Sequence, residues 1–365
     1  MEKKKVFGLD LLRFLSMFGI VGLHVMNQGG IQNNLNIHSY KYYLVLLLII
    51  FFYTSVDLFG LLSGYLNIKK KNNNNKRIIE LLCIMVFYCF TIPSVFYLFN
   101  LFNIRGLETT ELFKNFFPIL YGGYWYIICY TFLFFMIPYL NKFLYKLEKK
   151  EYKKLLILIF VLLSIIPNIF GLVDFFRINN GYSPFWLIYL YMVGGYIKIY
   201  LNDYKDNKRS IKIIFLCLML SFVLNSLVKN TSYLVLGYII KGDWFINYIS
   251  PFIIIFSINL ILIFKNIKIK NSKLLSKFIG YLSAASFSIY IIHSNKVIYD
   301  YVLGNRFVFL GNFNGFIIIT GVLLVILSIY LICMFIDIFR KLIFKLFKID
   351  NLIDFAGSCL DKHLN

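Results

Sequence analysis

Gly8-Leu9-Asp10-Leu11-Leu12-Arg13-Phe14-Leu15-Ser16-Met17-Phe18-Gly19-Ile20-Val21-Gly22-Leu23-His24 places ten uncharged residues between an arginine and a histidine, with an acid just before them. The run from Val6 to Met26 is otherwise apolar enough to enter a bilayer. A charge at the centre of a bilayer costs about 3 kcal/mol or more unless it is paired or faces water, so both groups are candidate functional residues. A helix turns about 100° and rises about 1.5 Å per residue. Arg13 and His24 therefore share one face, roughly 16 Å apart along the axis. Asp10, one turn earlier on nearly the same stripe, is placed to hold the guanidinium.

Composition sets that helix in a membrane protein. The 365 residues are 60% hydrophobic and 19% aromatic, with a mean hydropathy of +0.74, well outside the soluble range. A formal charge of +21 would suit a nucleic-acid binder in a soluble chain. Here the 38 Lys and Arg fall almost wholly between apolar runs, where they set topology, and no nucleic-acid partner is expected. The six cysteines show neither Cys-x-x-Cys nor metal-ligand spacing and read as reduced small hydrophobes. Met-Glu-Lys-Lys-Lys precedes the first apolar run, but no small-residue cleavage site follows His24, so an uncleaved first span is expected.

Apolar runs of about 20 residues predict ten spans, near 6–26, 42–66, 78–102, 118–140, 155–173, 184–201, 211–228, 246–264, 279–299 and 315–339. The stretch Tyr233 to Ile240 is apolar but too short to span and reads as a re-entrant or interfacial piece. Ten spans put 29 Lys and Arg on the side of the termini and 8 on the other, with Arg13 inside the first span. By the positive-inside rule this predicts an all-α integral membrane bundle of about ten transmembrane helices with both termini cytoplasmic. Arg13 then lies towards the cytoplasmic leaflet and His24 towards the outer one. Residues 1–340 form the transmembrane domain, and 341–365 an amphipathic cytoplasmic tail on the membrane surface. The run Asn72 to Asn75 reads as a flexible polar turn.

Other polar residues lie inside apolar runs. Asp57 sits in Val56-Asp57-Leu58-Phe59-Gly60-Leu61-Leu62-Ser63-Gly64-Tyr65, at a depth that suits pairing with Arg13 or another base, and the glycines there allow close helix approach. Ser288-Ile289-Tyr290-Ile291-Ile292-His293 places a second histidine at a depth close to that of His24, so the two could form one site. Tyr124-Trp125-Tyr126 reads as an aromatic belt or a substrate-stacking surface, and Asp174, Arg177 and Asp243 as solvated loop charges. Lys76 and Arg77 are topological charges that could also meet a phosphate. No P-loop, dinucleotide-binding glycine pattern, nucleophile elbow or zinc-ligand set occurs, and no metal is expected.

These pieces together resemble the membrane acyltransferase-3 family of bacterial cell-envelope O-acyltransferases. The likeness rests on Arg13-x10-His24, the Val56–Tyr65 motif, Tyr124-Trp125-Tyr126-Ile127, Tyr191-Met192-Val193-Gly194-Gly195-Tyr196 and Tyr290-x-x-His293, in that order from Leu9 to about Phe339. It implies transfer of an acyl group, usually acetyl from acetyl-CoA, to a hydroxyl of a cell-surface glycan or glycolipid by a protein of the bacterial cytoplasmic membrane. Family members often carry more arginine before the third helix than Lys76-Arg77, and many carry an esterase-like outer domain that is not expected here.

On this reading Arg13, with Lys76 and Arg77, binds the phosphates of CoA, because guanidinium offers persistent charge and forked donors. His24 meets the acyl carbon as general base or as nucleophile, since an unperturbed imidazole titrates near pH 6.5. Asp57 or Asp10 orients Arg13. His293 or Tyr290 polarises the carbonyl or binds the acceptor, and Trp125 offers a stacking surface. A transporter or flippase of a lipid-linked glycan would line its path with similar buried ions, but no inverted repeat or pair of broken half-helices is visible. A sensor that keeps the scaffold without turnover is a third class.

Overall fold

The computed structural model describes residues 6–101, 114–170, 174, 176–237, 244–269 and 272–364. Among them every regular element is helical: α1 (Phe7–Asn27), α2 (Tyr40–Asn67), α3 (Asn75–Leu101), α4 (Trp125–Leu144), α5 (Lys149–Phe170), α6 (Pro184–Tyr200), α7 (Asn207–Leu236), α8 (Pro251–Phe264), α9 (Lys273–His293), α10 (Gly315–Leu346) and α11 (Ile349–Leu364). Among the described residues 8 helices, α1 to α5, α7, α9 and α10, are long and apolar enough to cross a membrane. They coincide with eight of the ten expected spans. The other two are shorter, α6 with 17 residues and α8 with 14. At about 1.5 Å per residue α8 covers roughly 21 Å, short of a hydrocarbon core of about 30 Å. The sequence reading counted 246–250 into that span, whereas this segment is non-helical backbone ahead of Pro251.

Local chemistry fixes several helix starts. Ser183 accepts from Phe185 N ahead of Pro184, Asp206 from Arg209 N, and Asn314 from Ile317 N, each satisfying an amide the helix leaves open. Asp174, expected as a solvated charge, instead accepts from the amides of Ile178 and Asn179 and organises its loop. Helix α7 runs unbroken to Leu236 and is capped by Gly237 at φ +72°. Tyr233 to Leu236 thus extend a helix and are no re-entrant piece, while 238–240 lie outside the described residues, as do Arg105, Lys241 and Asp243.

The chain forms two compact units. The first comprises Met1–Ile20, Tyr42–Lys71 and Phe135–Ser283. Its α2 and α6 meet at backbone distance. A Cβ on Gly64 would collide with the carbonyl of Tyr191, and one on Gly194 with that of Leu61. The close approach expected from these glycines is present, and it brings Trp186 level with Asp57. Tyr152 Oη closes the same region by donating to Met192 O at 2.7 Å.

The second unit comprises Val21–Lys41, Asn72–Phe134 and Ala284–Asn365. Ile78, Leu81 and Phe134 form an apolar cluster against which Tyr130 and Phe287 pack. The asparagine run, expected as a flexible turn, is bonded: Asn73 Nδ2 donates to Phe134 O at 2.6 Å, Asn74 caps Arg77 N, and Asn75 Nδ2 donates to Asp361 at 2.8 Å. The segment after residue 340 continues α10 to Leu346 and then forms α11. That helix packs against the start of α3 through Gly357 and a Lys76–Asp354 ion pair, with Leu352 and Phe355 exposed. Arg340, counted among the basic charges on the side of the termini, is buried and bonded to buried Asp337 at 2.6 Å. Tyr88 and Lys341 complete that network at 3.1 Å each.

Candidate active site

Helix α1 ends in the second unit at a turn held from another part of the chain. The amides of Asn305 and Phe307 donate to the carbonyls of Gln28 and Gly29, and Gln28 Nε2 donates to Asp300. These bonds pin the π-helical turn Ile298–Leu303 beside the end of α1. As a result Tyr299 stands edge-on to the His24 ring, centroids 4.9 Å apart. No local sequence signal marks Tyr299, because its place depends on pairing between residues 28–29 and 305–307.

On the ring's other contact lies His293, the last residue of α9, with centroids 4.9 Å apart and planes at 44°. His293 is 0% exposed. Its Nδ1 lies 2.5 Å from Ile289 O, so Nδ1 carries the hydrogen and Nε2 keeps a lone pair. Among the described residues that Nε2 has no partner, nor do Nδ1 of His24 and Oγ of Ser294. His24 is intermediate in exposure as a residue, whereas His293 is fully enclosed. The pair therefore sets a partly buried histidine against a fully enclosed one, each with a ring nitrogen that has no partner among the described residues. Buried polar atoms without partners are rare, and a catalytic role or a bound water is among the reasons that one persists.

Tyr124 holds the end of α9 in place. It is buried, adopts φ +52°, and leads into α4. Its Oη donates to Ile291 O at 2.8 Å and accepts from Asn295 Nδ2 at 3.2 Å, while Asn295 Oδ1 caps Val297 N. Left-handed backbone is costly for a tyrosine and persists where its surroundings require it. Tyr290 joins this cluster, 6.0 Å from Tyr124, 6.2 Å from Tyr126 and 6.3 Å from His293. Trp125 packs on Tyr126 at 5.6 Å.

Arg13 lies in the first unit, on the earlier part of α1. Its Nη1 is 3.5 Å from Asp10 Oδ1 and 3.3 Å from Ser283 Oγ, and its side chain stays partly accessible. The carboxylate one turn before it is thus a neighbour, as the spacing predicts. Asp57 is placed otherwise. Its Oδ1 accepts from Trp186 Nε1 at 3.2 Å, Oδ2 has no partner among the described residues, and the residue is fully buried. The donor expected to be a base is an indole, because the α2–α6 contact through Gly64 and Gly194 sets the register. Lys76 is ion-paired with Asp354 and Arg77 with Glu80 at 2.6 Å, so both face carboxylates. Among the described residues no group of three or more His, Cys, Asp or Glu could hold a metal ion.

The arrangement can move a proton at His24 and hold a second imidazole against it. A family model described as an acyltransferase domain, that of the acyltransferase-3 family, matches residues 6–337. No curated protein and no solved structure gives a significant match.

Proposed function

The chain belongs to the acyltransferase-3 family and is a multi-pass membrane acyltransferase, and on that premise we propose that it moves a short acyl group, acetyl first of all, from cytoplasmic acyl-CoA to a hydroxyl of a cell-surface or exported polysaccharide or glycolipid. Its bilayer is the bacterial cytoplasmic membrane, surrounded by membrane lipid and crossed about ten times with both termini inside. The split of 29 to 8 basic residues supports that sidedness. The short helices α6 and α8 serve as the two further crossings.

The observation that carries the reading is the imidazole pair, with its two unpartnered nitrogens, in a chain of this family. His24 is the group that meets the acceptor, because it is the less buried of the two residues. As the acceptor oxygen attacks the thioester carbonyl, His24 takes the hydroxyl proton. The new C–O bond forms, the C–S bond breaks, and the proton passes to the departing thiolate of CoA. His293 backs the reacting ring, its Nδ1 hydrogen fixed on Ile289 O. Arg13 serves the donor's phosphates through its charge-assisted hydrogen bonds. Lys76 and Arg77 are held by Asp354 and Glu80.

The test uses purified protein in lipid nanodiscs with radiolabelled acetyl-CoA and envelope glycan. Label moves to the glycan and CoA is released by the natural protein. Both are lost in His24→Ala and Arg13→Ala variants that insert normally. Full activity in His24→Ala sinks the proposal, and label that stays on the protein without acceptor points to an acyl-imidazole at His24.

A further inference from the structure

The His24 ring has two aromatic neighbours at the same distance. His293 lies with centroids 4.9 Å away and planes at 44°, and Tyr299 with centroids 4.9 Å away and planes at 84°. They arrive by different routes: His293 ends α9, whereas Tyr299 is the second residue of the π-helical turn Ile298–Leu303. Such turns are rare, and they collect at functional sites.

Three separate anchors hold this turn. At its start Tyr299 N donates to Asn295 O at 2.7 Å, and Asn295 Nδ2 donates to the Tyr124 hydroxyl. In its middle Asp300 Oδ1 accepts from Gln28 Nε2 at 3.2 Å. Beyond its end Asn305 N and Phe307 N donate to Gln28 O and Gly29 O, at 2.8 and 3.0 Å.

Two of the anchors thus end on residues 28 and 29, just past His24, and Gly29 N in turn donates to His24 O at 3.0 Å. The turn and the end of α1 move as one piece, which keeps the Tyr299 ring against His24. The joint demands unusual backbone. Asn305 adopts φ +54° and Gly30 φ +83°, and a Cβ on Gly30 would meet Asn305 Oδ1 at 2.6 Å. Left-handed backbone at an asparagine persists where its surroundings hold it.

We propose that Tyr299 is a positioning residue for His24: its ring, set by the turn and tied to the end of α1, holds the imidazole in the orientation in which it takes the acceptor's proton. An edge-on aromatic pair favours one mutual orientation. Two rings meeting the imidazole at different angles restrict its rotation, and a catalytic group misplaced by about 1 Å can lose about 100-fold in rate. The ring carries this role and the phenolic hydroxyl does not. The contact stands on geometry alone, whereas its effect on rate rests on the acyltransferase reading.

In nanodiscs Tyr299→Leu is expected to lower kcat for acetyl transfer to envelope glycan roughly tenfold or more, with KM for acetyl-CoA held within about twofold. Tyr299→Phe, which keeps the ring, retains kcat within about threefold of the natural protein. Carbethoxylation of His24 by diethyl pyrocarbonate, followed by peptide mass spectrometry, reads the ring without turnover. Its rate rises severalfold in Tyr299→Leu and stays unchanged in Tyr299→Phe. Natural kcat in Tyr299→Leu, or an unchanged rate of His24 modification there, overturns the proposal. An equal fall of kcat in Tyr299→Leu and Tyr299→Phe also overturns it, and makes the hydroxyl the acting group. Tyr299→Met, apolar and without a ring, carries the same measurements where Tyr299→Leu does not insert. A natural protein that releases no CoA, while Tyr299→Leu still speeds modification of His24, leaves the positioning of the ring standing and removes the enzymatic reading.

Discussion

The imidazoles of His24 and His293 lie with centroids 4.9 Å apart, and each leaves a ring nitrogen without a partner among the described residues. If they act as a unit, their variants do not add. His293→Ala is expected to lower acyl transfer by roughly 100-fold, the scale of a lost acid–base group. The double variant His24→Ala/His293→Ala should be no slower than His24→Ala alone. Single-turnover label transfer measures both, and a multiplicative loss in the double variant would show two independent roles.

Tyr124→Phe deletes one hydroxyl that serves two partners, Ile291 O and Asn295. Leaving a buried carbonyl unsatisfied costs about 1–3 kcal/mol. A lower Tm is expected, together with a kcat that falls while KM for the donor holds, since the damage is to the position of His293. Natural Tm and kcat in this variant would remove Tyr124 from the support of the site.

Alanine at Gly64 or Gly194 puts a Cβ against the backbone of the facing helix. The helices must separate, at a cost of about 1–3 kcal/mol, and the Trp186–Asp57 hydrogen bond is drawn apart. Thermal unfolding in detergent should show the loss, and a red shift in tryptophan emission should accompany it. An unchanged Tm in both variants is incompatible with backbone contact between α2 and α6.

Arg340→Met leaves the Asp337 carboxylate buried, with the Tyr88 hydroxyl and with Lys341 as its remaining cation. Breaking a buried ion pair costs about 3–5 kcal/mol, whereas replacing both partners with apolar groups is often neutral. Asp337→Leu/Arg340→Met should therefore be more stable than Arg340→Met. Equal unfolding midpoints for the single and double variants would show that Asp337 carries no uncompensated charge.

Much of the fold was legible because hydrophobic runs and basic flanks are local. Eight of the expected spans coincide with helices of crossing length, and the glycines of Val56–Tyr65 stand at a close helix contact. The errors lie where a distant segment supplied the partner. Arg340 reads as one of the basic charges on the side of the termini until α10 is seen to continue past it and Asp337 to hold it. The asparagine run reads as a turn until Phe134 and Asp361 accept its hydrogen bonds. The break before Pro251 was hidden because its residues are as apolar as those of a helix, and only Ser164, Asn168, Ser221 and Ser250 disclose that its carbonyls are satisfied from the side.

The amino-acid order by itself determined that this is a helical membrane protein, that Asp10, Arg13 and His24 share one face of the first helix, and that its motifs fall in the order of the acyltransferase-3 family. Each follows from hydropathy, helical period or motif succession, which are properties of neighbours along the chain. Tertiary structure alone decided that His293 and Tyr299 flank His24, that Trp186 rather than a base bonds Asp57, and that Lys76 faces Asp354. Those pairings join residues far apart in the chain, and helix packing sets which side chains come level. No periodicity within one helix encodes them.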